Sequence, residues 1–274
     1  MIDLHMHTTA SDGRCSPGDL VNRAFARGIR VMSVTDHDTM AAVRQATAAA
    51  SALGMTCIPG IEITCVQEGR DVHILAYFLS DLPTPLDQLI AAQRQQRIER
   101  ARTIAARLAA AGAPIDIDAV LRDCSRAGGK SIARPQIAAA LMDAGHVASV
   151  AEAFDRFLGE DGPAYVPHHG PPPAQVVELI NEGGGLASLA HPGPTNRDQL
   201  IAPLVNAGLG AIEAYHSAHD EPTCRRYVDL ARRLGLAISG GSDYHGEGTR
   251  RSEFFGVTHL PPRHFEELRQ RGSK

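Results

Sequence analysis

Seven short apolar runs set among helix-like segments restrict this chain to a few architectures. They are IDLH at 2–5, VMSVTD at 31–36, CIPGIEIT at 57–64, DVHILAYFL at 71–79, GLASLAHPG at 185–193, GAIEAYHS at 210–217 and LAISGGSDYH at 236–245. The segments between them carry helix punctuation. In SPGDLVNRAFARG, Ser16 suits an N-cap and Pro17 the first turn. In TMAAVRQATAAASALG, Gly54 provides the stop. The third and fourth runs follow closely, joined by a turn around Glu68 and Gly69. About seven βα-type units predict a parallel barrel or an open doubly wound sheet. A long helix is expected over about 85–111, and after it the rhythm breaks. From 112 to 167 the helical segments IDIDAVLRDCSRAG, RPQIAAALMDAG and SVAEAFDRFLG follow one another with no strand run. The expected organisation is a main body of 1–111 and 168–274 with an all-helical insertion, 112–167, between the fourth and fifth strands.

The polar residues of the apolar runs fall in a pattern. His5 and His7 alternate at the end of the first, with Asp12 in the loop beyond. Alternate residues on a strand point to one face, where two imidazoles suit a metal ion well and a hydrophobic core badly. Taken alone the pair also fits a strand end whose histidines bond to water or backbone. The later runs decide it: Asp36, His37 and Asp38 end the second, Glu62 lies in the third and His73 in the fourth. His191, His216, and Asp243 with His245, end the last three. In a βα barrel the carboxyl ends of the strands open on one face, where active sites are built, so these residues are expected to converge. Imidazole and carboxylate mixtures bind Zn²⁺, Mn²⁺ or Fe²⁺. Nine donors (His5, His7, Asp12, His37, Glu62, His73, His191, Asp243 and His245) exceed the roughly four to six that one ion takes and suffice for two or three ions sharing a carboxylate. Closely spaced ions that share a hydroxide stabilise an in-line displacement at phosphorus.

Composition narrows the partners. With 274 residues, 43% of them hydrophobic, the chain can bury a full core. Its formal charge is −4 and no run is rich in lysine, which disfavours a long nucleic acid or an anionic membrane as partner. No apolar run approaches the ~20 residues of a membrane span, and no signal-peptide pattern opens the chain. Five scattered cysteines without a CxxC pair read as reduced thiols. The expected location is the cytoplasm; the sequence does not fix an oligomeric state.

The ordered segments HMH…SDG, VTDHDT, GIEIT, DVHILAY, LAHPG and GGSDYHG resemble the polymerase and histidinol phosphatase (PHP) superfamily of metal-dependent phosphoesterases. The resemblance implies a distorted (β/α)7 barrel with a small helical insertion and a trinuclear centre, Mn²⁺ favoured over Zn²⁺, Fe²⁺ or Mg²⁺. It implies His5, His7, Glu62 and Asp243 on one ion, Glu62 bridging to a second with His73 and His191, and Asp12, His37 and His245 on a third. Asp12 stands where the family often has His, so the third site is more anionic. The implied activity is hydrolysis of a phosphomonoester by a metal-bridging hydroxide, with no further catalytic side chain assigned. The implied substrate is a small nucleotide, foremost the 3′-phosphate of a nucleoside 3′,5′-bisphosphate; the alternatives are histidinol phosphate, 5′–3′ trimming of short RNA, or a non-catalytic PHP module. The amidohydrolase route, which in many members needs a metal-bridging lysine on a strand, is largely closed, because the two lysines, Lys130 and Lys274, lie on no strand run.

Outside the donor set, Asp36 or Asp38 is expected to orient His37 or to cap a helix, and the cap is favoured for Asp38. His216 is a candidate substrate contact. In GGKSIARPQ, Lys130, Ser131 and Arg134 precede a helix that starts near Pro135, a combination suited to a second phosphate.

Overall fold

The structure, a computed structural model, describes residues 1–126, 132–249 and 252–272, the side chains of 125 and 126 excepted. The chain divides into two compact units: Met1–Ile90 with Gly170–Lys274, and Ala91–His169. The larger unit holds one seven-stranded sheet whose spatial order is the chain order: β1 (Ile2–Asp3), β2 (Val31–Val34), β3 (Thr56–Gln67), β4 (Arg70–Tyr77), β5 (Leu186–Leu189), β6 (Ala211–His216) and β7 (Ala237–Gly241).

Two residues decide the direction of β4. Glu68 and Gly69 both have positive φ, 52° and 74°, and link Gln67 to its partner Arg70. A two-residue turn of that kind makes a hairpin, whereas a parallel crossover needs about a dozen residues or more. β4 therefore runs antiparallel to β3 and to β5, while β1–β2–β3 and β5–β6–β7 pair in parallel. This corrects the expectation of an all-parallel sheet; the barrel is distorted at its fourth strand.

The ring closes between its first and last strands. Leu4 N donates to Gly240 O (3.1 Å), Asp243 N to His5 O (2.8 Å) and His7 N to Tyr244 O (2.9 Å). Asp3 Oδ1 accepts from Ser242 N at 2.9 Å. The backbones approach so closely that a Cβ at Gly241 would overlap the backbone nitrogen and Cβ of His5, which is why glycine stands there. Inside and around the ring, Leu4, Ile61, Ile63, Ile74, Tyr77, Ile212 and Ile238 pack with Leu86, Val176, Ile180 and Tyr227 from the helices. Each such side chain contributes about 1.5–3 kcal/mol by burial. A second cluster joins Met6, Met32 and Val34 to Leu20, Val21, Ala46 and Phe255.

The smaller unit is helical among its described residues: the later turns of Thr84–Ala110, then Ile117–Arg126, Arg134–Asp143, and Val150–Ala153 running into a π-helical turn at Phe154–Leu158. Its core contains Ala101, Ile104, Leu108, Ile137, Leu141 and Leu158. The units divide at 90/91 and 169/170, not at the expected 111/112 and 167/168. The long helix carries two apolar sets, Leu86 and Ile90 for the barrel core and Ala101, Ile104 and Leu108 for the helical core. No described helix is long and apolar enough to cross a membrane, and all five cysteines are free thiols.

Candidate metal centre

The centre begins where β1 frays into a loop. His5 and His7 are fully buried, their rings 5.2 Å apart. Asp36, at the end of β2, folds the loop that follows. Its Oδ1 accepts from Thr8 N and Ser11 Oγ, both at 2.7 Å, and its Oδ2 from Thr8 Oγ1 at 2.7 Å. This turns Asp12 back to lie 3.6 Å from His7 Nδ1 and 3.2 Å from His245 Nε2. Asp38, with φ 54°, accepts from Thr64 N of β3 at 2.9 Å. It caps no helix, because the next helix starts at Val43; its acceptor went to a neighbouring strand instead.

Glu62 of β3 is the hub. Its Oε1 lies 2.7 Å from His73 Nδ1 and 3.0 Å from His191 Nε2. Its Oε2 lies 3.1 Å from His5 Nε2, 3.2 Å from His7 Nε2 and 3.3 Å from His37 Nδ1. Asp243 Oδ1 is 3.4 Å from both His5 Nε2 and His7 Nε2. His73 reaches Glu62 from the first half of β4, since reversal of that strand puts its start beside the ends of the others. Among the described residues, four groups have potential ligand atoms within 4.8 Å of one another: His5, His7, Glu62 and Asp243; His7, Asp12, His37 and His245; His37, Glu62 and His73; and His5, Glu213 and His216. The first has the residues of the expected quartet, the second adds His7 to the expected trio, and the third has His37 where the expected set has His191; the fourth holds none of the expected sets.

Electrostatics here run against burial. Burial disfavours charge on Glu62, yet His37, His5 and His73 hold it well below the usual carboxylate range; Asp243 is lowered likewise, chiefly by His5. Burial also opposes protonation of His5 and His7. Glu213, Glu62 and Asp243 raise His5 well above its ordinary value, and the carboxylates of Asp243 and Glu62 push His7 up to about 10. His37 falls to about 4, through burial with His7 and His73 adding to it. His7 and His245 stack with ring centroids 4.0 Å apart. His7 Nε2, His37 Nδ1 and His216 Nε2 are buried and face carboxylate oxygens at 3.2, 3.3 and 3.3 Å. Nitrogen and oxygen donors crowded in this way fit divalent cations of borderline hardness. His37, Glu62, His73, His191, Pro194, Asp243 and His245 line a pocket of about 230 Å³ above the buried His5 and His7.

The remaining expected residues lie elsewhere. His216 does not line this pocket; it is buried with Nε2 3.3 Å from Asp243 Oδ2, and its Nδ1 accepts from Ala218 N. Arg134 belongs to the helical unit, its guanidinium 3.4 Å from Leu158 O and over the Phe154 ring. Lys130 and Ser131 lie outside the described residues. Glu213, to which sequence reasoning gave no role, is fully buried and accepts from His5 Nδ1 at 2.9 Å. A lone carboxylate inside the apolar run AIEAYH was the available signal, because a buried glutamate is rare unless paired.

The PHP domain model matches residues 3–128. Along 95% of its length the chain is 32% identical to a 3′,5′-nucleoside bisphosphate phosphatase of Chromobacterium violaceum, covering 93% of that protein. It is 34% identical, over 89% of its length and 84% of the relative, to the 5′–3′ exoribonuclease Rnm of Escherichia coli. A solved structure from Bifidobacterium adolescentis, described as a candidate metal-dependent phosphoesterase, superposes with a TM-score of 0.86 at 30% identity, covering 98% of this chain and 96% of that one. A second, described as an amidohydrolase of Chromobacterium violaceum with bound sulfate and no metal, gives 0.83 at 33% identity over the same shares.

Proposed function

The chain belongs to the PHP-domain family of metal-dependent phosphoesterases, and from that membership we propose that it hydrolyses the 3′-phosphate of nucleoside 3′,5′-bisphosphates with two or three divalent ions, Mn²⁺ foremost. The observation that carries the reading is the single Glu62 carboxylate facing five imidazoles at the floor of one pocket. End-to-end similarity to a bisphosphate phosphatase supports the substrate.

In this reading His5, His7, Glu62 and Asp243 hold one ion, Glu62 with His73 and His191, His37 beside them, a second, and Asp12, His37 and His245 with His7 a third. Bound there, divalent ions supply Lewis acidity, withdrawing charge from the phosphoryl oxygens and making water a nucleophile near neutral pH. The protein's share is preorganisation. Glu62, Asp243 and Asp12 are held anionic, so cation binding need not wait for their deprotonation. Asp36 fixes the loop that presents His7 and Asp12. His37, His73, His191 and His245 wall the pocket and fix where a phosphoryl group is received. Arg134, with Lys130 and Ser131 near it in sequence, is proposed to meet the phosphate that is not cleaved. A guanidinium carries five N–H donors, more than the contact to Leu158 O, at 3.4 Å among the described residues, uses.

A second reading, removal of nucleotides from the 5′ end of short RNA, is favoured by the similarity to the exoribonuclease. Phosphate release and product analysis on 3′,5′-bisphosphates, mononucleotides, histidinol phosphate and short RNA, with Mn²⁺ and with chelator, separate the two. Rapid chelator-sensitive phosphate release from the bisphosphates is the expected result. Mononucleotide release from RNA with inert bisphosphates would transfer the assignment to the second reading, and full activity in chelator would end both.

A further inference from the structure

Glu213 rises from β6, wholly buried, and both its oxygens are engaged. Oε1 accepts from His5 Nδ1 at 2.9 Å, and Oε2 accepts from the backbone nitrogen of His191 at 2.8 Å. An ionised carboxylate only accepts, so His5 keeps its proton on Nδ1. In the neutral ring that ligation would require, the lone pair then falls on Nε2, which faces Glu62 Oε2 at 3.1 Å and Asp243 Oδ1 at 3.4 Å. The second bond acts on backbone. His191 sits at φ 26°, ψ 60°, a left-handed conformation that a residue with a Cβ keeps only when its surroundings hold it. One residue pair further on, His219 Nε2 accepts from Gly193 N at 3.1 Å, so the segment carrying His191 is fastened twice by groups in and just after β6.

We propose that Glu213 is a positioning residue of the centre: its one carboxylate sets the tautomer of His5 and the backbone pose of His191, aiming a ring nitrogen from β1 and another from the end of β5 at Glu62. The inference rests on the reading that these rings ligate divalent ions. Glu213 itself touches neither ion nor substrate. With His5 and His216 it does form a group of potential ligand atoms within 4.8 Å, but its oxygens are already occupied by two N–H donors.

The test is Mn²⁺ binding by calorimetric titration to the wild type and E213Q, together with ¹⁵N spectra of histidine-labelled protein loaded with diamagnetic Zn²⁺. Glutamine keeps the shape but offers one acceptor and one donor, so it can serve His5 Nδ1–H or His191 N–H and not both. The expected result is roughly 10–100-fold weaker Mn²⁺ binding, the usual effect of losing a partner behind a ligand, with the ion count at saturation unchanged. The His5 ring signals should also move away from a single Nδ1–H form, and kcat should recover at excess Mn²⁺. A merely structural residue would change thermal stability without moving the tautomer. Should E213Q not fold, E213D, whose carboxylate is withdrawn by one methylene, is read in the same way. Unchanged affinity with an unchanged His5 tautomer overturns the proposal, and so does the loss of one ion per chain at saturation, which would make Glu213 a ligand. If the wild type itself binds no divalent ion, the metal reading falls and takes this inference with it.

Discussion

Replacing Glu62 by glutamine removes one charge and no volume from the middle of the centre. The size of the effect follows from how the two oxygens are shared. Oε1 faces His73 and His191, and Oε2 faces His5, His7 and His37. Each oxygen therefore serves a separate set of rings. A contact to a charged group contributes roughly 1.5–3 kcal/mol, so two sets together give about 3–6 kcal/mol. At about 1.4 kcal/mol per tenfold, that is about two to four powers of ten in kcat/KM. Asp12 is the contrasting case: its side chain is 38% exposed and its nearest partner, His245 Nε2, is at 3.2 Å. One solvent-screened set is worth about 1.5 kcal/mol or less, so Asp12→Asn should cost about tenfold or less. The assay is kcat/KM for phosphate release at saturating Mn²⁺, with circular dichroism to confirm folding and elemental analysis for ion content. E62Q within about tenfold of wild type, or D12N the more damaged of the two, would refute the idea that Glu62 serves two ions.

Chelation should abolish activity and lower the melting temperature, and added Mn²⁺ should restore both; a melting temperature indifferent to Mn²⁺ speaks against a cation in the centre. Ion binding near neutral pH should release protons, since neighbouring carboxylates raise His5, His7 and His73 and so favour their protonated forms in the ion-free protein, whereas ligation needs their lone pairs. Protonation of these raised groups favours the ion-free fold at low pH and loses that effect as pH rises through the folded value, about 10 for His7. Apparent Mn²⁺ affinity should thus rise from about pH 6 to about pH 8, and calorimetry in buffers of different ionisation enthalpy would show the released protons; a buffer-independent heat contradicts this. Arg134→Ala should lower kcat/KM on a 3′,5′-bisphosphate by roughly one to two powers of ten while sparing a mononucleotide. A uniform loss on both substrates would place Arg134 at the reacting phosphate or in the fold.

The apolar runs were legible because burial leaves a periodic mark, and the observed strands lie within or against the seven runs read from sequence. What that reading lacked was direction. The Glu68–Gly69 turn was visible, yet its consequence, that two residues cannot carry a parallel crossover, emerges only when the positive φ of both is known. His73 joined the candidate set as a residue within its run, and reversal of β4 explains why it meets the others. Glu213 shows where simple periodicity stops. On a regular strand, residues 213 and 216 point to opposite faces, but a register shift in the pairing of β6 with β7 between Glu213 and Tyr215 breaks that parity, and both side chains meet the cluster. The unit boundary escaped for a related reason: one unbroken helix with two apolar sets carries no break at the point where its packing partners change.

Closure of the ring has a consequence for the order in which the molecule can be made. β1 and β7 are neighbours in space, yet His5 and Asp243 are 238 positions apart (243 − 5). A chain emerging from the ribosome presents His5 and His7 first and Asp243 and His245 nearly a whole barrel later. Up to the end of β6 the growing chain has most of its imidazoles but an unpaired β1 edge, and it lacks the aspartate that faces both His5 and His7. The donor cluster is therefore incomplete until the final strand is in place. Assembly of the donor cluster is thus tied to the last pairing of the sheet, between the two ends of the chain's own strand order.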